Sequence, residues 1–353
     1  MTEDILFSSK RHLGLITLNR PKALNALTLP MILAMQHQLH VWKDDPAIHA
    51  VVIQAAEGKA FCAGGDVRSL YDAEEAHEQQ MQFFWHEYRL NHFIHHFQKP
   101  YIALMDGVTL GGGVGIALHG SHPVATEKFQ FAMPETSIGF FPDIGASFLL
   151  SKCPGSMGLY LGLTGHRLHA EDARAAGLVK HLIRSEQKES VVQCLLDSDL
   201  STDVYQTVDA CLNALSIEPV VASLVPLCSV IDTCFGVEQL ETLFAQLSDS
   251  EDPWQQNTLE TLHQKSPLSL AVTWAQLHKA RGMSLADCLH MDYCLAGHFM
   301  RDHDFYEGIR ALLVDKDKSP RWQPKTLTLV TPLQVSTYFE CGRPELPFFM
   351  CDS

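Results

Sequence analysis

Ala60-Phe61-Cys62-Ala63-Gly64-Gly65-Asp66 and Leu110-Gly111-Gly112-Gly113-Val114-Gly115 decide how this chain is read. Each glycine run follows a short apolar stretch and opens onto helix-like sequence. The first turn of a helix carries amide N–H groups with no intrahelical partner, and its dipole favours negative charge there. Glycine permits close backbone approach and unusual angles. Two such loops facing each other would aim two N–H donors at one oxygen, which is an oxyanion hole. Taken alone, the glycines fit a plainer role equally well, as tight strand-to-helix packing. A phosphate loop is excluded, because GxxxxGK[ST] is absent and GxGxxG fails at its last glycine.

Outward from these loops, strands and helices alternate. Leu13–Leu18 is apolar and β-branched, and Asn19-Arg20-Pro21 ends it. Thr28 with Pro30 starts a helix, on which Met31, Met35, Leu39 and Trp42 share one face. Ala50–Ala55 and Tyr101–Met105 are buried strands, and Glu74 to Gln98 is helix-like between them. The pattern is α/β up to about residue 185. Beyond it strand signals fade, residues 189–301 read as helices, and the tail after Trp322 is punctuated by proline. This divides the chain into a core at 1–188, a helical extension at 189–265 and a C-terminal helical region with tail at 266–353.

The 353 residues are 46% hydrophobic, enough for a sizeable core and too many for global disorder. Lys and Arg total 26 against 41 Asp and Glu, a net charge of −15, which argues against nucleic acid as a partner. No apolar run is long enough to span a membrane. The polar first ten residues carry no signal or transit pattern. The ten cysteines form no CxxC pair. They are expected to be free thiols in a reducing cytoplasm.

Glu135 and Asp143 stand eight positions apart in an apolar segment bent by glycine and proline. Burying carboxylates beside Ile138, Phe140 and Phe141 is costly without work or partners. The alternatives are a helix cap at Asp143 and a surface Glu135.

Together these stretches resemble the crotonase (enoyl-CoA hydratase/isomerase) superfamily. The resemblance rests on Asn19-Arg20-Pro21-Lys22-Ala23-Leu24-Asn25-Ala26-Leu27, the two glycine loops with Gly107, and Pro134-Glu135. It implies a spiral of repeated ββα units with a helical C-terminal region. It also implies a thioester carbonyl held by the amides of Gly65 and Gly112. Hydratases of the superfamily carry two glutamates. The second matches Glu135, but the first falls on Gly115. Glu135 with Asp143 in Pro134-Glu135-Thr136-Ser137-Ile138-Gly139-Phe140-Phe141-Pro142-Asp143 is similar to the branch that hydrolyses 3-hydroxyisobutyryl-CoA, as in valine breakdown. So are Glu87-Tyr88-Arg89-Leu90-Asn91, Met291-Asp292-Tyr293 and the stretches Asp302–Ala311 and Asp315–Trp322.

That branch implies Glu135 as nucleophile or general base, Asp143 orienting water or the substrate hydroxyl, and Glu87 at the hydroxyl end. Gly112, Glu135 and Asp143 would also touch substrate. For coenzyme A, the resemblance and the cations point to Lys22, Ala23, Leu24, Lys59, Ala63 and Arg310. No cofactor is expected beyond the coenzyme A of the substrate, and no metal. His92 and His96 share a helical face but have no HExxH pattern and no cysteine beside them. Cys62 reads as a small core residue, and Phe83, Phe84 and Trp85 as helix packing. The remaining readings are an enoyl-CoA hydratase or isomerase, and a non-catalytic coenzyme A-binding homologue. Superfamily relatives form trimers and dimers of trimers. A homo-oligomer therefore stands beside a C-terminal part folded back on its own core.

Overall fold

The computed structural model describes residues 3–218, 222–342 and 346–348. Its strands are β1 (Ile5–Lys10), β2 (Leu13–Leu18), β3 (Ala50–Ala55), β4 (Ala60–Cys62), β5 (Tyr101–Met105), β6 (Val108–Leu110), β7 (His122–Thr126), β8 (Gln130–Ala132), β9 (Leu168–His169) and β10 (His181–Ile183). The first helices are α1 (Leu29–Asp44), α2 (Val67–Asp72), α3 (His77–His95), α4 (Gly112–Leu118), α5 (Ala146–Leu150), α6 (Met157–Thr164) and α7 (Ala170–Ala175). After β10 follow α8 (Lys188–Asp197), α9 (Val204–Leu215), α10 (Cys228–Phe235), α11 (Leu240–Ser248) and α12 (Pro253–His263). The last are α13 (Pro267–Lys279), α14 (Leu285–Phe299), α15 (His303–Ile309) and α16 (Pro332–Tyr338).

Six strands form one sheet in the order β1-β2-β3-β5-β7-β10, and four form a second in the order β4-β6-β8-β9. Only β1–β2 and β8–β9 run antiparallel. From β3 to β8, consecutive strands therefore alternate between sheets. The pairs β3–β4, β5–β6 and β7–β8 each give one strand to the large sheet and one to the small. These are the repeated ββα units, although no repeat is visible in the residues themselves. Gly107 makes one of these crossings, at φ +101°, and a side chain there would collide with the carbonyl oxygen of Lys59.

The central strands are apolar because both faces are covered, and all five residues of β5 are buried. On α1, Met31, Met35, Leu39 and Trp42 are buried, as their spacing predicts. Thr28 caps that helix by accepting from the Met31 amide at 3.4 Å. Burying four such side chains contributes about 1.5–3 kcal/mol each. β1 was not expected, since the stretch reads as a polar terminus. It is an edge strand with only Ile5 buried.

Residues from α8 onward do not pack as one block. Val191 and Leu195 of α8 and Val208 and Leu212 of α9 cover Leu13, Val52, Ile102 and Leu104 on the outer face of the large sheet. Apolar residues of α10–α16 join the main core on the other side. Cys294 and Cys341 form a disulfide across 47 residues, which corrects the expectation of free thiols. Spacing alone could not reveal it, because folding the tail onto α14 is what joins them. Seven further cysteines are free, and Cys351 lies outside the described residues. No helix of the described residues is long and apolar enough to cross a membrane.

Candidate active site

The loop after β4 is braced from the N-terminal side. Asn25 is fully buried, and its side chain donates to the Ala60 carbonyl at 2.9 Å and accepts from the Arg20 amide at 2.8 Å. The Leu27 amide donates to the Gly64 carbonyl, and the Asp66 amide to the Leu27 carbonyl, both at 2.8 Å. Arg20 reaches Asp66 at 3.2 Å. Gly64 sits at φ +107°, which only glycine adopts readily. Cys62 donates its thiol to the Asn25 carbonyl, and burial pushes that thiol up to about 12. It is a packing residue, not a nucleophile.

The loop after β6 lies against the first. A methyl group added to Gly112 would stand 3.2 Å from the Gly65 amide nitrogen and would collide with Glu87 Oε1. One added to Gly111 would stand 2.9 Å from Glu135 Oε1. The two loops and both glutamates thus converge on one place. Neither the Gly65 nor the Gly112 amide donates to another group among the described residues. They are available to an incoming oxygen.

Both loops line a cavity of about 280 Å³, together with Ala63, Glu87, Glu135 and Asp143. Glu135 opens the short turn Glu135–Ile138 and is 6% exposed. Its carboxyl is held well above the usual range by burial, then by the charge of Asp143. Glu87 is held up by burial, then by Asp143 and Glu135. Asp143 is pushed up to about 7 by burial, which a hydrogen bond from Tyr88 opposes. The Tyr88 hydroxyl donates to Asp143 Oδ2 at 2.8 Å.

The C-terminal helices hold the carboxylate segment from behind. Asp292 of α14 accepts from the Gly145 amide at 2.7 Å and from Gln276 at 2.8 Å, and Gln276 also donates to the Pro142 carbonyl. Gly145 stands at φ +70°. Phe305, Leu312 and Leu313 complete the cavity wall. Leu312 also lines a second cavity with Ser137, Lys265 and Lys318. Lys265 donates to Ser137 at 2.7 Å, and burial pulls its amine down to about 8.

Position 115 is occupied in a different sense. A Cβ on Gly115 would lie 2.8 Å from Nδ2 and 2.9 Å from Oδ1 of Asn91. Asn91 is fully buried, and its amide has no hydrogen-bond partner among the described residues. It fills the space that a side chain at 115 would need.

The structure thus brings Gly65, Gly112, Glu87, Glu135, Asp143 and Ala63 together. Apart from Ala63, it does not bring the expected coenzyme contacts to the cavity. Lys22, Leu24 and Lys59 are exposed and, with Ala23, line no part of it, although the Leu24 carbonyl accepts from the Ala63 amide at 3.0 Å. Arg310 also lies outside the lining and is ion-paired. Its guanidinium is committed to Glu307, Asp315 and Asp317. Phe83 and Phe84, expected to be packing alone, also line the cavity. Sequence reasoning missed Tyr88, Asn91, Asp292 and Lys265. Tyr88 and Asn91 carried a signal within the stretch that holds Glu87, and Asp292 within Met291-Asp292-Tyr293, but none of the three was given a role; Lys265 carried no signal.

Residues 13–339 match the family model described as enoyl-CoA hydratase/isomerase. The chain is 40% identical over 353 residues to the mitochondrial 3-hydroxyisobutyryl-CoA hydrolase of Homo sapiens, covering 98% of this chain and 91% of that protein. Against the Danio rerio protein of the same name it is 43% identical over 342 residues, covering 95% and 89%. Among solved structures, a carnitinyl-CoA dehydratase from Mycobacterium thermoresistibile matches with a TM-score of 0.92 at 36% identity, over 99% of this chain and 100% of that one. An enoyl-CoA hydratase from Rhodobacter sphaeroides 2.4.1 matches at 0.87 and 36%, over 95% and 97%. The fold is the crotonase fold that the resemblance implied. With the family model spanning nearly the whole chain and relatives at about this identity, the chain belongs to the enoyl-CoA hydratase/isomerase family.

Proposed function

We propose that this chain hydrolyses a short 3-hydroxyacyl-CoA thioester, foremost 3-hydroxyisobutyryl-CoA, to the hydroxy acid and coenzyme A. The carrying observation is the convergence of two unpaired amides, Gly65 and Gly112, on a cavity lined by Glu135 and Asp143. When a thioester carbonyl is attacked, its oxygen becomes negative, and the two amides stabilise that charge. Glu135 attacks the carbonyl carbon or acts as base on water, and Asp143 orients the water or the substrate hydroxyl. The bond from carbonyl carbon to sulfur breaks, and coenzyme A leaves as a thiolate. A thiol of pKa about 8.5 needs little acid help in leaving. Glu87 faces the hydroxyl end. A buried group that bonds the hydroxyl discriminates against plain acyl chains.

Gly115 and Asn91 favour hydrolysis over hydration. Hydration in this family draws on a second glutamate at 115, and Asn91 occupies its space. The anionic end of coenzyme A is assigned to Lys22 and Lys59 on the N-terminal side and to Lys265 and Lys318 beyond Leu312. The two hydrolases named above are mitochondrial by name; for this chain the cytoplasm is the proposed location, and cell fractionation tests it.

The decisive experiment follows thiol release across a panel of 3-hydroxyacyl-CoA and enoyl-CoA esters. The reading requires release from 3-hydroxyisobutyryl-CoA and no hydration of crotonyl-CoA. Hydration of crotonyl-CoA without thiol release would overturn it.

A further inference from the structure

Four acidic side chains are buried around the carboxylate bend: Glu87 from α3, Glu135 and Asp143 from the bend itself, and Asp292 from α14. They cannot all be ionised in so small a space, because like charges and burial both disfavour the charged form. The question is which one keeps its charge at the reacting centre. Donors decide it. Asp292 accepts two hydrogen bonds but stands behind the bend, on Gly145 and Gln276, outside the cavity lining. Of the three that line the cavity, Asp143 alone accepts from a buried side-chain hydroxyl, that of Tyr88. Glu87 Oε1 and Glu135 Oε2 have no hydrogen-bond partner among the described residues.

We infer that Tyr88 is a positioning residue that holds Asp143 ionised and fixes its orientation, so that Asp143 carries the resting negative charge of the site. This rests on the hydrolase reading only for its kinetic consequence. Tyr88 is fully buried and packs against Phe84 with ring centroids 5.7 Å apart, so its hydroxyl has one direction to point. With Oδ2 taken by Tyr88, Oδ1 is the oxygen that receives a proton. During turnover the O–H bond of protonated Glu135 breaks as the Oδ1–H bond of Asp143 forms, which leaves Glu135 as the carboxylate that attacks the carbonyl carbon or takes a proton from water. The direction of each carboxyl agrees with this. Asp143 is raised only to about 7, whereas Glu87 and Glu135 are held well above their usual range. His119 bonds the Ile144 carbonyl at 2.7 Å and is kept neutral by burial, and the Lys265 amine is bonded to Ser137, so neither takes the place of Tyr88 on Asp143.

The test is Tyr88→Phe, which removes one hydroxyl and keeps the ring. Loss of the donor raises the proton affinity of Asp143. The acid limb of the kcat/KM profile for 3-hydroxyisobutyryl-CoA therefore moves to higher pH. The variant is expected to be about tenfold slower than wild type near pH 6 and within about twofold near pH 9. A parallel loss at every pH, or no loss at all, overturns the inference. A second measurement needs neither a folded variant at position 88 nor any turnover. Infrared difference titration of the unliganded protein follows carboxylate bands near pH 8. The band is expected to vanish in Asp143→Asn and persist in Glu135→Gln; the reverse overturns the inference. Absence of hydrolase activity with the infrared result intact would remove the hydrolase reading and leave the assignment of charge.

Discussion

Asn91 and Gly115 are complementary: the amide of one occupies the space in which the other would carry a side chain. A glutamate introduced at 115 meets a buried amide that cannot retreat into solvent. Gly115→Glu is expected to lose about 1–3 kcal/mol of stability from overpacking and to gain no crotonyl-CoA hydration. Gly115→Glu combined with Asn91→Ala relieves the collision and recovers part of the lost stability, the cost of the buried carboxyl remaining. Thermal unfolding and loss of enoyl absorbance check both.

Glu135→Gln keeps the volume of the side chain and removes its capacity to attack or accept a proton. Thiol release is expected to fall roughly 10²–10⁴-fold. Coenzyme A binding, measured by calorimetry, stays near the wild-type value.

Gly112→Ala puts a methyl group between the two amides and against Glu87. An oxyanion hole that cannot close on the carbonyl costs about 10²–10³ in kcat. The expected signature is a fall in kcat larger than any rise in KM.

The acid pair also predicts how stability varies with pH. Asp143 titrates at about 7 in the folded chain and at about 3.9 when unfolded, so the folded state binds more protons between those values. The stability this provides is fully present below about pH 4 and is lost as pH rises through about 7. Asp143→Asn removes the dependence. Its melting temperature relative to wild type is therefore expected to climb from pH 5 to about pH 8, while hydrolysis is abolished. An advantage that shrinks with rising pH would contradict the assignment.

Lys265 gives a prediction about the far end of the substrate. Lys265→Met is expected to raise KM for the coenzyme A ester about tenfold with kcat unchanged. An N-acetylcysteamine thioester of the same acid has no phosphates and should show equal KM in both proteins. Equal losses on both esters would mean the lysine serves structure alone.

What the sequence disclosed was local. The stripe Met31, Met35, Leu39 and Trp42 identified α1, and unbroken apolar runs identified β2, β3 and β5. The glycine loops and the Glu135–Asp143 pair disclosed the site, because glycine and carboxylate in apolar surroundings need a reason. Hidden were the contacts made by distant parts of the chain. Asp292 lies 147 positions from Gly145, and Tyr88 lies 55 from Asp143. No periodicity records such meetings. Phe83 and Phe84 misled differently. Helical spacing places them with Glu87 and Tyr88 on one face of α3, and that face borders the cavity as well as the core. The ion pairs of Arg310 were hidden because Asp315 and Asp317 could be seen in the sequence but not their reach.

The hold of Asp292 on the Gly145 amide carries a lesson about biosynthesis. Every side chain that does chemistry has been synthesised by residue 143, yet the brace at Asp292 is added about 150 residues later. A nascent chain halted before α14 would display both acids and both amides on an unsupported bend. Coenzyme A esters in the cell therefore meet a competent catalyst only after translation is nearly complete. A truncation ending at residue 188 should be inert, however well it folds.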